Sequence, residues 1–170
     1  AMKPKTVGRI SGNATAKIPS DILPNSGLMA QSVILTLEGE KPVGDVKPGD
    51  RVITRDSGTA IVTAIRARRV SMPVVRIMAG SLGHTRPERD MTLPAGQQVL
   101  IRDWRAKALF GREQALVPVE RLVDGEFVRH EPSREVTVCD IEFARPHILY
   151  VDGVEVASQT DPAARAAAAA

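Results

Sequence analysis

The side chains in this sequence that could act as nucleophiles or proton carriers are few and widely spaced. There is one cysteine, Cys139, and there are three histidines, His84, His130 and His147. A cysteine attacks as its thiolate, so Cys139 is a candidate nucleophile only where a cation or a helix N-terminus lowers the pKa of its thiol. Separated histidines without a neighbouring cysteine or carboxylate pattern do not form a metal site. We therefore expect no metal and no cofactor.

Cys139 lies in the segment VTVCDIEF, whose residue types are typical of a β-strand. Because successive side chains of a strand point to opposite faces, Cys139 shares a face with Thr137 and Ile141, while Val138 and Asp140 lie on the other. A free cysteine in such a segment is usually a small buried core residue. The pattern predicts a buried Cys139.

The densest basic cluster is the segment IRARRV, which contains Arg66, Arg68 and Arg69. The formal net charge of the chain is +3, and aromatic residues make up 3% of it. Surfaces that bind single-stranded nucleic acid place aromatic side chains among their basic residues, and this composition offers few. We interpret the three arginines as a solvated strand face. Nucleic-acid binding through them is the lowest-ranked alternative function.

The chain divides by composition into three parts. Residues 1–26 are polar and interrupted by Gly, Pro, Ser and Asn, which predicts an extension. Residues 27–159 form the expected domain, and residues 160–170 an Ala-rich tail. A chain of 170 residues is long enough for one domain with a core. No apolar run approaches the roughly 20 residues that a membrane-spanning helix needs, and no signal peptide is evident.

Short segments rich in β-branched residues, separated by Gly, Pro and Asp turns, run through the expected domain. They predict an all-β sandwich or barrel. The one helical segment is DWRAKALFG, where Gly111 stands at the position of a helix stop and Trp104 is expected to pack beside the helix. The sequence therefore predicts a single all-β domain with at most one or two short helices.

Three segments of the domain carry residues in a recurring order. The closing segment, VTVCDIEFARPHILYVDGVEVAS, spaces Asp140, His147 and Gly153, and the middle segment is DWRAKALFGREQALVPVERLVDGEFV. The opening segment contains Ser32, Ile34, Thr36 and Gly39, followed by Pro42-Val43 and by Pro48-Gly49-Asp50-Arg51-Val52. Together they resemble the Hint domain family, the Hedgehog/intein self-processing fold, in its bacterial stand-alone form. The resemblance covers about residues 27 to 158 and implies a horseshoe-shaped β domain.

The resemblance also implies a chemistry. In the family, a thiol or hydroxyl at the first residue attacks the preceding carbonyl and converts an amide into a reactive ester. A histidine in a Thr-x-x-His motif protonates the amine that leaves. An aspartate and a histidine near the C-terminus assist proton transfer, and in splicing members a final asparagine cyclises. The family chemistry is therefore autocatalytic peptide cleavage or splicing.

At the start of the domain, the reactive positions of the family fall on residues that do not carry this chemistry. The nucleophile's position falls on Gly27, which has no side chain to attack with. Thr92 takes the position of the motif threonine, and the motif histidine falls on Gly96 or Gln97. A glutamine donates hydrogen bonds but does not deliver a proton at neutral pH.

At the end of the domain, two of the assisting residues are present without the groups they would assist. Asp140 and His147 stand at the positions of the family's aspartate and histidine. The terminal His-Asn pair falls on Ala157 and Ser158, and a serine has no amide with which to cyclise.

These departures predict a degenerate Hint domain, inactive in self-splicing, that serves as a structural or protein-binding module. The expected partners are other domains of a larger protein or a separate protein, in the bacterial cytoplasm or in a secreted chain. The alternative is residual autoproteolysis by an N–O acyl shift, in which Ser26 is the nucleophile. Ser26 and Cys139 are the candidate nucleophiles that the sequence offers.

Overall fold

The fold is that of a computed structural model, which describes residues 25–83 and 85–160. The predicted extension up to residue 24, His84, and the predicted Ala-rich tail from residue 161 lie outside the described residues.

Strands dominate this part of the chain, as the sequence predicts. They are β1 (Leu28–Met29), β2 (Val33–Thr36), β3 (Gly39–Pro42), β4 (Arg51–Thr54), β5 (Gly58–Ile61), β6 (Ala64–Ile77), β7 (Met91–Pro94), β8 (Gln98–Ile101), β9 (Ala115–Pro118), β10 (Val128–Phe143), β11 (Ile148–Val151), β12 (Val154–Ala157) and β13 (Gln159–Thr160). One α-helix, α1 (Trp104–Phe110), and two 3-10 turns, Val43–Asp45 and Val119–Leu122, complete the described elements.

The strands form two sheets. The larger, of eight strands, has the order β9-β8-β12-β11-β2-β4-β5, with β3 paired to β2. The smaller, of five strands, has the order β13-β10-β6-β7, with β1 paired to β10. The pairings are antiparallel except that between β13 and β10, which is parallel.

A long two-stranded ribbon of β6 and β10 is the main feature of the smaller sheet. Its register extends from Val128 opposite Ile77 to Glu142 opposite Ala64. The sequence, with its prolines, predicts separate strands here, and the structure instead joins them into strands of 14 and 16 residues. The join is possible because Pro73, which has no N–H to donate, lies opposite a β-bulge between Glu131 and Arg134.

The core is built from aliphatic side chains contributed by both sheets, as expected for a chain with few aromatics. Buried members from the larger sheet include Ile34, Val52 and Leu149, and those from the smaller sheet include Ile77, Leu93 and Phe143. A second, smaller cluster forms around Met29, Met72, Val74 and Val138. Burial of these side chains is the main driving force for the fold.

Helix α1 begins and ends where its sequence requires. The Asp103 side chain accepts a hydrogen bond from the Arg105 N–H at 3.0 Å, which caps the first turn. Gly111 ends the helix with φ +70°, a left-handed conformation that glycine adopts at no steric cost. The predicted helix is therefore confirmed. No helix in the described ranges has the length and apolar character needed to cross a membrane.

The chain enters and leaves the domain beside the same strand. Strand β1, just after Gly27, pairs with β10 at Val138 and Cys139. Strand β13, just after Ser158, pairs with β10 at Glu142 and Phe143. The N-terminal and C-terminal segments of the domain therefore meet at one end of the ribbon, where the candidate site lies.

Candidate functional site

The peptide that joins Ser26 to Gly27, here called the junction peptide, is hydrogen-bonded on both sides by side chains. Its N–H, that of Gly27, donates to Oε1 of Gln97 at 2.9 Å. Its carbonyl oxygen, that of Ser26, accepts from Nη2 of Arg68 at 3.0 Å. The Gly27–Gln97 hydrogen bond is buried and the Arg68–Ser26 hydrogen bond is partly buried, so the first is shielded from water and the second is shielded in part. Hydrogen bonds in such surroundings are stronger than in water.

Gly27 has no space for a larger side chain. A Cβ atom built on it would lie 2.9 Å from Oδ1 of Asp140 and 3.4 Å from Cβ of Val138. Its φ of +116° is also a conformation that residues with a Cβ rarely adopt. The position that the family resemblance assigns to the nucleophile is therefore shaped around a glycine.

Gln97 connects the entry of the domain to its exit. Besides accepting from Gly27, its side chain donates from Nε2 to the carbonyl oxygens of Ala157 at 2.8 Å and Gln98 at 3.1 Å. Gln97 is 2% exposed. One buried amide thus bridges the backbone groups of two residues that are 60 and 70 positions away from it in the sequence.

The sequence leaves open whether Gly96 or Gln97 stands at the position of the family's histidine. In the structure, the Gln97 side chain contacts the amide of the junction peptide. The Gly96 N–H instead donates to the carbonyl oxygen of Asn25 at 2.8 Å, one peptide earlier. Gln97 accepts a hydrogen bond from the junction N–H, and a neutral amide has no proton to give to that nitrogen.

Asp140 is held beside the junction by Arg68. Nε of Arg68 lies 3.0 Å from Oδ2 of Asp140, while Nη2 of the same guanidinium reaches the Ser26 carbonyl. The two side chains are 36% and 23% exposed, so the ion pair is partly shielded. For Arg68, the interpretation as part of a solvated face is wrong, because its charge is directed at Asp140 and the junction peptide.

The other two arginines of the basic cluster are exposed, as expected, and each pairs with a carboxylate of β10. Arg66 lies 3.3 Å from Glu142, and Arg69 lies 2.7 Å from Glu135. Their charges are therefore offset locally, which weakens the case for a nucleic-acid surface on this ribbon.

His147 forms a separate cluster near the exit of the chain. Its Nδ1 lies 3.0 Å from Oδ2 of Asp56 and 3.2 Å from Oγ of Ser57. The ring is 6% exposed and packs edge-on against Phe143, with 5.5 Å between the ring centroids. Burial opposes ionisation of Asp56, but hydrogen bonds from the Ile148 N–H and from His147 outweigh it and lower the pKa of this carboxyl.

Two hydrogen bonds join His147 and Ser158. The Ser158 N–H donates to the carbonyl oxygen of His147, and the His147 N–H donates to Oγ of Ser158, both at 2.9 Å. Ser158 thus fixes the end of β12 against the start of β11. The hydroxyl acts as a hydrogen-bond acceptor there.

Two candidates remain, Thr92 and Cys139. Thr92 is on β7, paired in register with Arg76. Cys139 is 1% exposed, which confirms its predicted burial. Burial, and secondly the charge of Asp140, raise the pKa of the Cys139 thiol, so the nucleophilic thiolate is disfavoured.

The structure brings Gly27, Gln97 and Asp140 together at the junction and adds Arg68, which the sequence did not assign to the site. It brings His147 to Ser158 and adds Asp56 and Ser57. The contacts of Arg68 with Asp140 and of Asp56 with His147 join residues 72 and 91 positions apart. No local motif signals pairs at such separations. The alternation of IRARRV does indicate that Arg68 lies on a different face from Arg69.

Two sheets pack around an aliphatic core. Strands β1 and β13 lie on one ribbon, and side chains hold the junction peptide beside them by hydrogen bonds. These features define an intein-like β domain. Residues 26–162 match the family model described as Hint domain, and the chain belongs to the Hint domain family. The family resemblance and the all-β fold that the sequence predicts are thereby confirmed. A comparison with curated proteins finds no match.

Solved structures support the same fold. The chain is similar to the bacterial intein-like domain from Clostridium thermocellum, with a TM-score of 0.56 and 15% identity over 79% of this chain and 98% of that chain. The TvoVMA intein gives a TM-score of 0.56 and 10% identity over 79% and 98%. The Msm DnaB1 intein splicing domain, solved with zinc bound, gives 0.53 and 19% over 78% and 98%. At these identities the likeness shows the fold.

Proposed function

We propose that this Hint domain does not process its own chain and acts as a structural or protein-binding module that holds its entry and exit segments together. The observation that carries the proposal is the bridge made by Gln97, which joins the Gly27 N–H to the Ala157 carbonyl oxygen. In this role the site stabilises an intact peptide.

The chemistry at the junction peptide supports this proposal. An acyl shift needs a hydroxyl or thiol on the residue that follows the attacked carbonyl, and a proton donor for the departing amine. Gly27 supplies no nucleophile, and its φ of +116° and the nearby Asp140 leave no space for one. Gln97 accepts from the junction nitrogen, so its hydrogen bond stabilises the amide in its uncleaved form.

The surface supports a binding role next to the structural one. Trp104 is 66% exposed, so the expectation that it packs beside the helix is wrong. Leu109 and Leu116 are 54% and 42% exposed in the same part of the chain. Exposed aromatic side chains such as that of Trp104 are enriched at protein interfaces, and the two leucines add apolar surface, which suits contact with a neighbouring domain or a separate protein.

The intact mass of the protein, purified with a tag at each end, tests the proposal. The sample is followed for days with and without a thiol and with and without hydroxylamine, and we expect one constant full-length mass. A paired sample of Gln97→His, which returns an acid–base group to the family's position, is expected to stay intact as well because Gly27 still lacks a nucleophile. Discrete fragments from the unmodified protein would overturn the proposal.

A second candidate function is slow self-cleavage by an N–O acyl shift at Ser26. The observation that favours it is the Gly96 N–H, which donates at 2.8 Å to the Asn25 carbonyl oxygen and would polarise that carbonyl. In this reaction Oγ of Ser26 bonds to the Asn25 carbonyl carbon, the C–N bond breaks, and the hydroxyl proton passes to the freed amine. Water then hydrolyses the ester.

The two candidates give different masses in the same experiment. Self-cleavage predicts a break between residues 25 and 26 that hydroxylamine accelerates and that Ser26→Ala abolishes. Ser32→Ala is the matched control, because Ser32 is also a buried serine but is not adjacent to the Asn25 carbonyl. A break that persists in Ser26→Ala would indicate proteolysis by a contaminant.

A further inference from the structure

An open pocket of about 310 Å³ lies where strands β2, β3 and β11 meet the segment 85–88. Its lining carries three carboxylates, those of Glu40, Glu88 and Asp152, and one cation, Arg86. The pocket shares no lining residue with the group that holds the junction peptide. Its volume is in the range of pockets that bind small ligands.

Glu40 and Glu88 form no ion pair among the described residues. Both are exposed, and Glu40 on β3 lies directly opposite Leu35 of β2. Glu88 packs over the turn after β11, because a Cβ atom built on Gly153 would lie 2.9 Å from its Cγ and 3.4 Å from its Oε2. Two carboxylates that line one pocket without a counter-charge repel each other, and a bound cation would relieve that repulsion.

Asp152, in the same turn, is the one buried residue of the lining and is 7% exposed. In the part of the chain that the structure describes, its Oδ1 has no hydrogen-bond partner, and Nε of Arg89, at 3.6 Å, is too far away to donate one. Burial and, to a smaller extent, the charge of Glu88 raise the pKa of the Asp152 carboxyl, although hydrogen bonds and the charge of Arg89 oppose the rise. The pocket therefore contains a buried carboxylate whose charge is incompletely offset.

Most of the arginines near the pocket contact Glu155, which does not line it. Nη1 of Arg86 lies 3.5 Å from Oε1 of Glu155, and Arg55 and Arg102 contact the same carboxylate. The whole cluster is neutral, since its carboxylates and guanidinium groups are equal in number: Glu40, Glu88, Asp152 and Glu155, and Arg55, Arg86, Arg89 and Arg102. Its charges are unevenly distributed, because the arginines gather at Glu155 and the unpaired carboxylates line the pocket. The pocket is therefore the negative side of the cluster.

The rest of the lining suits the aliphatic stem of a lysine or arginine side chain. Val33 and Leu35 of β2 contribute apolar surface, and Tyr150, from the adjacent strand β11, contributes an aromatic ring. An ammonium or guanidinium group is attracted to the face of such a ring, while its stem packs on apolar surface. A metal ion is a poorer match, because no group of three His, Cys, Asp or Glu side chains within residues 25–83 and 85–160 is arranged to hold one.

We propose that this pocket binds a cationic side chain, a lysine or an arginine, of a protein partner, with Glu40 and Glu88 as its acceptors and Tyr150 as one wall. Asp152 adds negative potential from the buried side. Such a site rests on the protein-binding role in the proposed function and gives the partner a required chemical feature. Binding of a single amino-acid amide tests the site without a protein partner, whereas constant intact mass tests whether the domain processes itself, so the two fail separately.

Titration of the nitrogen-15-labelled full chain with Nα-acetyl-arginine amide, at constant ionic strength, tests the site by NMR. We expect saturable shifts of the backbone amides of Leu35, Tyr150 and Gly153, which line the pocket. The amide of Nα-acetyl-citrulline is similar in shape but uncharged, and we expect it to cause no saturable shifts.

The double variant Glu40→Gln/Glu88→Gln should raise the Kd of the arginine amide by about tenfold or more, equivalent to about 1.4 kcal/mol. Glu113→Gln/Glu126→Gln removes two exposed carboxylates outside the pocket and is the matched control with unchanged Kd. Because Glu40 and Glu88 are exposed and form no ion pair, we expect the first variant to keep its Tm, which thermal unfolding checks.

A parallel titration with Nα-acetyl-lysine amide separates the two sources of the cation. Tighter binding of the lysine amide assigns the pocket to an ammonium group, and the reverse assigns it to a guanidinium group. Absence of saturable shifts with both amides overturns the proposal, as does equal binding of the citrulline amide or an equal Kd in the two double variants.

Discussion

Gly27 and Gln97 are joined by a buried hydrogen bond of 2.9 Å between a backbone N–H and a side-chain oxygen. The same side chain donates to Ala157, so the residue before β1 and the last residue of β12 are held by one amide. The group in contact with the junction nitrogen is a neutral amide, which holds the peptide by accepting its N–H. This contact leads to the first two predictions.

Replacing Gln97 by alanine is expected to lower the free energy of unfolding by about 2–3 kcal/mol, because the Gly27 N–H and the Ala157 carbonyl oxygen lose their buried partner. Urea denaturation measures the loss. Gln98→Ala is the matched control, since Gln98 is half-buried and its backbone oxygen, which persists in the variant, is the group that contacts Gln97. Equal losses in the two variants would contradict the bridge.

Replacing Gly27 by cysteine is expected to destabilise the fold by about 2 kcal/mol or more and to leave the protein uncleaved. The reason is that the new Cβ meets Oδ1 of Asp140 at 2.9 Å in addition to the strain of φ +116°. Gly39→Ala separates the two effects, because Gly39 has a similar φ of +106° but no atom within 4 Å of the added Cβ. Urea denaturation and intact mass give the readouts. Cleavage in Gly27→Cys would show that a nucleophile fits this position after all.

Arg68 and Asp140 are expected to be energetically coupled through their contact at the junction. A double-mutant cycle with Arg68→Ala and Asp140→Ala should give a coupling energy of about 1–2 kcal/mol in urea denaturation. The same cycle on Arg69 and Glu135, which form an exposed pair at 2.7 Å on the same ribbon, should give about 0.5 kcal/mol or less. Similar values for the two pairs would mean that the junction does not shield its ion pair.

Cys139 is expected to make stability depend on pH in the alkaline range. In the folded state, burial and, to a smaller extent, the charge of Asp140 raise the pKa of its thiol. In the unfolded chain, the pKa of a cysteine is about 8.5. The protonated thiol therefore contributes stability that is fully present below that pH and is lost as the pH rises towards the folded pKa. Between about pH 8 and 10, the free energy of unfolding measured in urea should fall more steeply with pH in the unmodified protein than in Cys139→Ala. Parallel pH profiles would contradict this assignment.

The sequence allowed prediction of the elements whose signals are local. Gly111 marks the end of α1, the alternation around Cys139 places it in the core, and the spaced motifs indicate the Hint family. The sequence does not predict the continuity of β6 and β10, because Pro73 indicates a strand start unless the bulge opposite it is known. The roles of Arg68 and Asp56 are not predictable from the sequence either, because each acts through a partner more than 50 positions away.

The adjacency of β1 and β13 on the ribbon has a consequence for protein engineering. A segment whose two ends lie side by side can be inserted into a surface loop of another protein without forcing the host's own ends apart. Residues 25–160 fit that description, with Gln97 fastening the two ends. We therefore expect the domain to be tolerated as an insertion in a surface loop of another protein.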